Sequence, residues 1–207
     1  MITRRASDIR PFLVMEVLEA AQGMERNGQN VVHLEVGEPD FDTPECIKAA
    51  GFRALREGKT HYTHSLGLPE LREAICDHYR QRYGVVVCPK QIIVTSGTSP
   101  AMMILFSTIL EREDEVIISD PHYACYPNFI RFFGGRPVCV PVFEEEGFQY
   151  TPAAIRERIR PRTKAILINS PSNPTGNLLS PERMEEIASF GVPIISDEIY
   201  HGLVYGE

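Results

Sequence analysis

A chain of 207 residues with 43% hydrophobic composition can build one sizeable domain, or most of one, around a core of its own. Its net charge of −7 and pI near 5.4 argue against nucleic acid or an anionic membrane as partner, since both require a basic face. The five cysteines, Cys46, Cys76, Cys88, Cys125 and Cys139, lack CxxC spacing and are odd in number, so they read as reduced thiols, mostly in the core, of a cytoplasmic protein.

No apolar run approaches a membrane span, and Pro11–Met15 is cut by Glu16 before a signal-peptide core develops. No HExxH occurs. His61 and His64 lie three apart with no third ligand in view, which fits a surface or loop role better than a metal site.

Taken in order, Val14, Val17 or Leu18, Ala21 and Met24 space an amphipathic helix that ends between Gly23 and Gly28. Val31–Val36 predicts a short strand running into the turn Gly37-Glu38-Pro39-Asp40-Phe41, where Gly37 permits close approach of backbone or ligand. Thr43 as cap and Pro44 at the first helical position open a helix towards Leu55. The polar loop from His61, with Tyr62 in it, leads into a helix through Tyr83. On chemistry alone Tyr62 packs its ring and wets its hydroxyl.

Gln91–Ser96 predicts a strand, turned by Gly97-Thr98-Ser99-Pro100 into the helix Ala101–Leu110. This is the clearest anion site in the sequence: free amides at the helix start, the helix dipole, and the Thr98 and Ser99 hydroxyls all favour a negative ligand. The alternative is that Thr98 or Ser99 only caps the helix. No Walker A or G-x-G-x-x-G motif supports a nucleotide. Val116–Ser119 is the next strand, and beyond its end Tyr123 can offer a ring face to a flat heteroaromatic ligand or simply pack. A helix through Phe133, the turn Gly134-Gly135 and a strand near Pro137–Val142 follow. Glu144–Glu146 reads as a solvated loop and Thr151–Arg160 as a helix.

Ala165–Ile168 reads as a strand of a parallel sheet covered on both faces, ended by Asn169 and Ser170. Pro171, Pro174 and Gly176 then shape a turn that holds Asn173 beyond the carboxyl end of the strand, where open α/β sheets place ligands. Taken alone, this is equally an ordinary β-to-α loop. Ser180 caps a helix to Phe190, and the strand Pro193–Ser196 delivers Asp197, a carboxylate that needs a proton or a cation if buried, or else caps a loop.

From Val36 to Tyr200 the chain resembles the class I/II aminotransferases, fold type I enzymes that use pyridoxal phosphate. The matching stretches are GEPDF, Tyr62-x-x-x-x-Gly67-x-x-x-Leu71-Arg72, the turn at Gly97, P-x-Y-x-x-Y at Pro121–Tyr126, SNPTG at Ser172–Gly176 and D-x-x-Y at Asp197–Tyr200. The resemblance implies that Gly97, Thr98 and Ser99 hold the cofactor phosphate and that Tyr123 stacks on the pyridine ring. It also implies that Asp197 pairs with the ring nitrogen, that Asn173 and Tyr200 bond the phenolic oxygen, and that Gly37 lies against the substrate carboxylate. Tyr62 would reach the cofactor of a partner subunit, hence a homodimer; Tyr126 carries no firm role. The Schiff-base Lys and the carboxylate-binding Arg lie downstream of D-x-x-Y in the family. Lys48, Lys59, Lys90 and Lys164 all precede it, so no catalytic residue is assigned in this chain.

The implied fold is α/β: a three-layer large domain with a mainly parallel sheet, lacking its C-terminal strands and the small domain. Residues 1–40 would form an N-terminal segment of the small domain or dimer arm, and 41–207 an incomplete large domain, leaving Gln91–Ser96 without its neighbours. The implied activity moves an amino group between an amino acid and a 2-oxo acid, with an aspartate-, alanine- or aromatic-type donor. The alternatives are another pyridoxal-phosphate enzyme, such as a carbon–sulfur lyase, and a non-catalytic truncated chain.

Overall fold

The computed structural model describes residues 2–205. The chain divides into two compact units, Met1–Leu13 with Thr98–Glu207, and Val14–Gly97. The first unit holds α1 (Arg4–Ser7), and the second holds α2 (Leu13–Arg26, all but its first residue), α3 (Glu45–Arg56) and α4 (Pro69–Tyr83). The first unit continues with α5 (Thr98–Ile109), β1 (Glu115–Asp120), α6 (Tyr126–Phe132), β2 (Arg136–Pro141), α7 (Pro152–Arg156), β3 (Thr163–Asn169), α8 (Pro181–Ala188) and β4 (Ile194–Asp197).

The four strands form one parallel sheet in the order β2-β1-β3-β4. Side chains alternate across a strand, so adjacent residues enter different cores. Val116 and Ile118 of β1 and Ala165 and Leu167 of β3 face α5 and α6, packing with Phe106 and Ile130. Ile117, Ile166 and Ile168 face the opposite side, packing with Ile155 of α7 and Ile187 of α8. Ala165–Ile168 is therefore buried on both faces, as its unbroken apolar run requires, and the architecture is helix, sheet, helix. Ser180 caps α8, its hydroxyl accepting from the Arg183 amide at 3.4 Å.

Several expectations need correction. Val31–Val36 and Gln91–Ser96 are not strands: residues 89–91 form a 3-10 turn, Ile92 is extended, and no ladder follows it. β-branched residues favour extended backbone, but a strand needs a partner, and here the Val94 amide donates to a loop carbonyl, that of Leu66, at 3.0 Å. Thr43 caps nothing. Pro44 stands at the cap position of α3, one residue later than expected, with no side-chain bond. Gly97-Thr98-Ser99-Pro100 is not a separate turn before Ala101, because α5 already starts at Thr98; Gly97 precedes it at φ +97°, a conformation open to glycine. The helix expected over Thr151–Arg160 stops at Arg156, where the Arg158 amide bonds to Ile155 and tightens the chain. The cysteines are free thiols but not core residues: Cys46, Cys88 and Cys139 are exposed and Cys76 and Cys125 half-buried. Cys139 sits on the edge strand β2, of which only Val140 is buried.

In the Val14–Gly97 unit only Ala21 and Arg72 are buried among the described residues. Arg72 donates to the Pro89 carbonyl at 3.0 Å, tying the start of α4 to the 3-10 turn. Gly67, at φ +96°, lies against Val94; a Cβ there would stand 2.5 Å from the valine Cβ. His33 bridges two carboxylates, with Nε2 3.1 Å from Glu25 of α2 and Nδ1 2.6 Å from Glu35.

Carboxylates at both ring nitrogens favour the imidazolium, the form that carries a proton on each. The hydrogen bond to Glu35, then that to Glu25, raises the His33 pKa above the ordinary 6.5, while the His33 contact lowers that of Glu35. The histidine contribution is complete below pH 6.5 and is lost as pH rises through the raised value. The Glu35 contribution is lost as pH falls through its lowered value. Proton NMR of the ring is expected to give a midpoint above 6.5, and one at or below 6.5 would mean that the bridge does not hold in solution.

Candidate active site

The strand order reverses direction between β1 and β3, so the loops leaving their carboxyl ends part and open a crevice there. A cavity of about 250 Å³ lies at this place, within the first unit. Thr98 and Ser99 come to it from the first turn of α5, Tyr123 from the loop after β1, Asn173 from the loop after β3, and Asp197 and Tyr200 from the end of β4. The structure thus gathers six of the nine residues singled out in the sequence. Gly97, the last residue of the other unit, is covalently next to Thr98; Gly37 and Tyr62 also belong to that unit, where Gly37 is exposed with open space around it and Tyr62 is fully exposed.

Asp197 is only 7% exposed, and its carboxylate is met from two sides. Oδ2 accepts from the Tyr126 hydroxyl at 2.7 Å, and Oδ1 from the Ile199 amide at 3.2 Å. Asn173 Nδ2 donates to the Tyr200 hydroxyl at 3.3 Å, so these two polar ends lie together. Tyr123 packs edge-on against Tyr126, with ring centroids 5.3 Å apart, and against Phe12 at 5.9 Å. Burial, followed by contacts with Cys125, Tyr200 and Asp197, pushes the Tyr123 hydroxyl well above the ordinary phenol range. Burial and then the bond to Asp197 do the same to Tyr126. Both remain protonated donors at neutral pH.

Two residues matter more than the sequence reading allowed. Asn169, read there only as the end of a strand, is a junction: its Nδ2 donates to the Asp197 carbonyl at 2.9 Å and its Oδ1 accepts from the Asn173 amide at 2.6 Å. The signal available was an amide residue closing an apolar strand. Tyr126 was legible only as the second aromatic of P-x-Y-x-x-Y; its partner is 71 positions away. Among the described residues no cluster of His, Cys, Asp and Glu is suited to a metal ion, and no helix is long and apolar enough to cross a membrane.

The family model for aminotransferase class I and II matches residues 29–207, and the chain belongs to that family. It is 45% identical, over 99% of its length, to a (5-formylfuran-3-yl)methyl phosphate transaminase from Methanocaldococcus jannaschii, of which it covers 53%. To a probable aspartate/prephenate aminotransferase of Aquifex aeolicus it is 43% identical over its whole length, covering 53% of that protein. Among solved structures, the aspartate aminotransferase of Thermus thermophilus with maleate superposes with a TM-score of 0.96 at 42% identity, over 100% of this chain and 55% of that one. The chain therefore spans about half the length of the relatives it matches. The cofactor implied by this membership is pyridoxal phosphate.

Proposed function

We propose that this chain carries the cofactor-holding residues of an aminotransferase that moves an amino group between an amino acid and a 2-oxo acid. The observation that carries this reading is the convergence, in one cleft, of a buried carboxylate, a tyrosine ring, an amide–phenol pair and the hydroxyl-bearing start of a helix.

These groups fit pyridoxal phosphate by their chemistry. Thr98 and Ser99, with the free amides at the start of α5, would hold the phosphate. Tyr123 would stack on the ring, and Asn173 and Tyr200 would donate to its phenolic oxygen. Asp197, a buried carboxyl group, would face the ring nitrogen and keep a proton on it. The cofactor, when bound, supplies an electron sink for negative charge at the carbon bearing the amino group.

Lys48, Lys59, Lys90 and Lys164 do not line the cleft. Lys164 stands near the amino end of β3, 3.8 Å from Asp114, and Lys48 and Lys59 pair with Glu45 and Glu57. Binding by this chain is accordingly non-covalent. Exposed Tyr62 supports a homodimer in which each subunit lends that residue to the other's cofactor, and Gly37 would lie against the substrate carboxylate. Residues 1–40 would go with the small domain or dimer arm and 41–207 with the large domain, and the setting would be the cytoplasm. The names of the relatives make aspartate the first donor to try.

Equilibrium dialysis of the chain against pyridoxal phosphate is expected to show retention that borohydride does not convert into a covalent adduct. No retention would sink the reading.

A further inference from the structure

The end of α6 away from the cleft borders a second cavity, of about 400 Å³, lined by Asp8, Arg10, Arg131, Gly134 and Gly135, all of the first unit. Tyr126 opens α6 in the cleft, and Arg131 lies in its last turn, about 7.5 Å further along the axis. The N-terminal segment reaches this place because its backbone is tied to the helix. The Arg10 amide donates to Asn128 Oδ1 at 3.3 Å, and Asn128 Nδ2 donates back to the Arg10 carbonyl at 2.9 Å. Asn128 and Arg131 share a face of α6, so the tie brings both arginine side chains to one hollow.

The opposite wall is backbone. Gly134 stands at φ +82°, and a Cβ on Gly135 would lie 3.0 Å from Ile130 and Leu110, so the turn from α6 to β2 sends no side chain into the space. The Gly134 and Gly135 amides bond the Arg131 and Ile130 carbonyls, which blunts the negative end of the helix. The chain as a whole carries a net charge of −7, so an anion settles on it only at a local excess of positive charge. Two guanidiniums against one carboxylate supply that excess. Among the described residues neither guanidinium forms an ion pair with a carboxylate, although Asp8 lines the same cavity.

We propose that this cavity is a site for inorganic phosphate, whose oxygens bridge Arg10 of the N-terminal segment and Arg131 of α6 while the Asp8 carboxylate accepts from its P–OH. Guanidinium forks match the oxygens of such an ion. Asp8 gives the site its choice: an ionised carboxylate only accepts, and it repels an oxyanion that has no proton to offer. At pH 8 inorganic phosphate keeps one P–OH, whereas sulfate and a phosphate monoester, whose second pKa is about 6, keep none. The bound ion would clasp the N-terminal segment to α6. Neither the site nor its test depends on the cofactor reading.

NMR of the full chain labelled with 15N in arginine locates the site directly. At pH 8 and constant ionic strength, the Nε–H signals of Arg10 and Arg131, assigned by their loss in Arg10→Gln and Arg131→Gln, are expected to shift together with inorganic phosphate and give one common Kd. Those of Arg53 and Arg82, exposed on α3 and α4, are expected to stay. Either Gln substitution is expected to weaken binding about tenfold or more, as read on the remaining arginine, the range for loss of a charge-assisted contact. Sulfate and glycerol 3-phosphate are expected to bind about fivefold or more weakly than phosphate, and Asp8→Asn to bring the three within about twofold.

Phosphate at ten times its Kd is also expected to slow exchange of the Arg10 amide about tenfold, because opening the tie to Asn128 dismantles the site. Shifts spread equally over Arg53 and Arg82 would mean general screening, and arginine signals that stay put would place any bound phosphate elsewhere, at the start of α5 for instance. Either result overturns the proposal, as do equal affinities for phosphate and sulfate in the unsubstituted chain or an Arg10 amide whose exchange ignores phosphate.

Discussion

Asp197→Asn is expected to cut retention of pyridoxal phosphate by roughly ten- to a hundredfold while leaving the chain folded. The substitution keeps the size of the side chain and one acceptor oxygen, which takes the Tyr126 hydroxyl while the Ile199 amide loses its partner, so a small loss of stability accompanies it. What it removes is the charge. A hydrogen bond to an ionised partner contributes about 1.5–3 kcal/mol, which is the stated loss in affinity. Asp197→Ala should weaken retention as much and also lower stability, because Tyr126, 2% exposed, would keep a hydroxyl with nothing to accept it. Dialysis against the cofactor, with urea unfolding of the same samples, separates the two effects. Full retention by the Asn variant would remove Asp197 from the site.

Phe106→Ala is expected to cost about 3–5 kcal/mol, against a total stability for a domain of about 5–15 kcal/mol. Phe106 is fully buried on α5 and packs in the layer formed by Met102, Leu110, Val116, Ile118, Leu167 and Tyr126. A cavity there removes contacts from α5, from both central strands and from α6 together, so local collapse cannot refill it cheaply. Phe106→Leu, which leaves a smaller void, should cost less. The urea midpoint measures both. A loss below about 1 kcal/mol in the Ala variant would show that this layer is not what holds α5 on the sheet.

How much of this was legible in the sequence depends on the range over which each feature is decided. The run Ala165–Ile168 declared a two-sided strand because burial on both faces leaves no room for alternation, and both faces are indeed packed. Tyr123, Asn173 and Asp197 each follow a strand, so their common place at one end of the sheet follows from parallel pairing. The pairing of Tyr126 with Asp197 was not readable, because nothing local in either segment refers to the other. Val31–Val36 and Gln91–Ser96 show the converse error. Their composition favours extended backbone, but it carries no information about whether a neighbour is there to complete a ladder. The cysteines misled for a similar reason: small apolar side chains are often buried, but position decides, and Cys139 fell on an edge strand.

Asn169 and Asp197 stand opposite each other in the register of β3 with β4. The separation between the loop that carries Asn173 and the carboxylate of Asp197 is therefore set by the spacing of neighbouring strands, about 4.8 Å, and not by the loops themselves. The backbone lattice acts as a ruler for the chemistry. Asn169 holds the Asn173 amide on one side and the Asp197 carbonyl on the other, while the turn through Gly176, at φ +73°, closes back on Ser172. A slip of one residue between β3 and β4 would dismantle the site at once, even with every side chain in it unchanged.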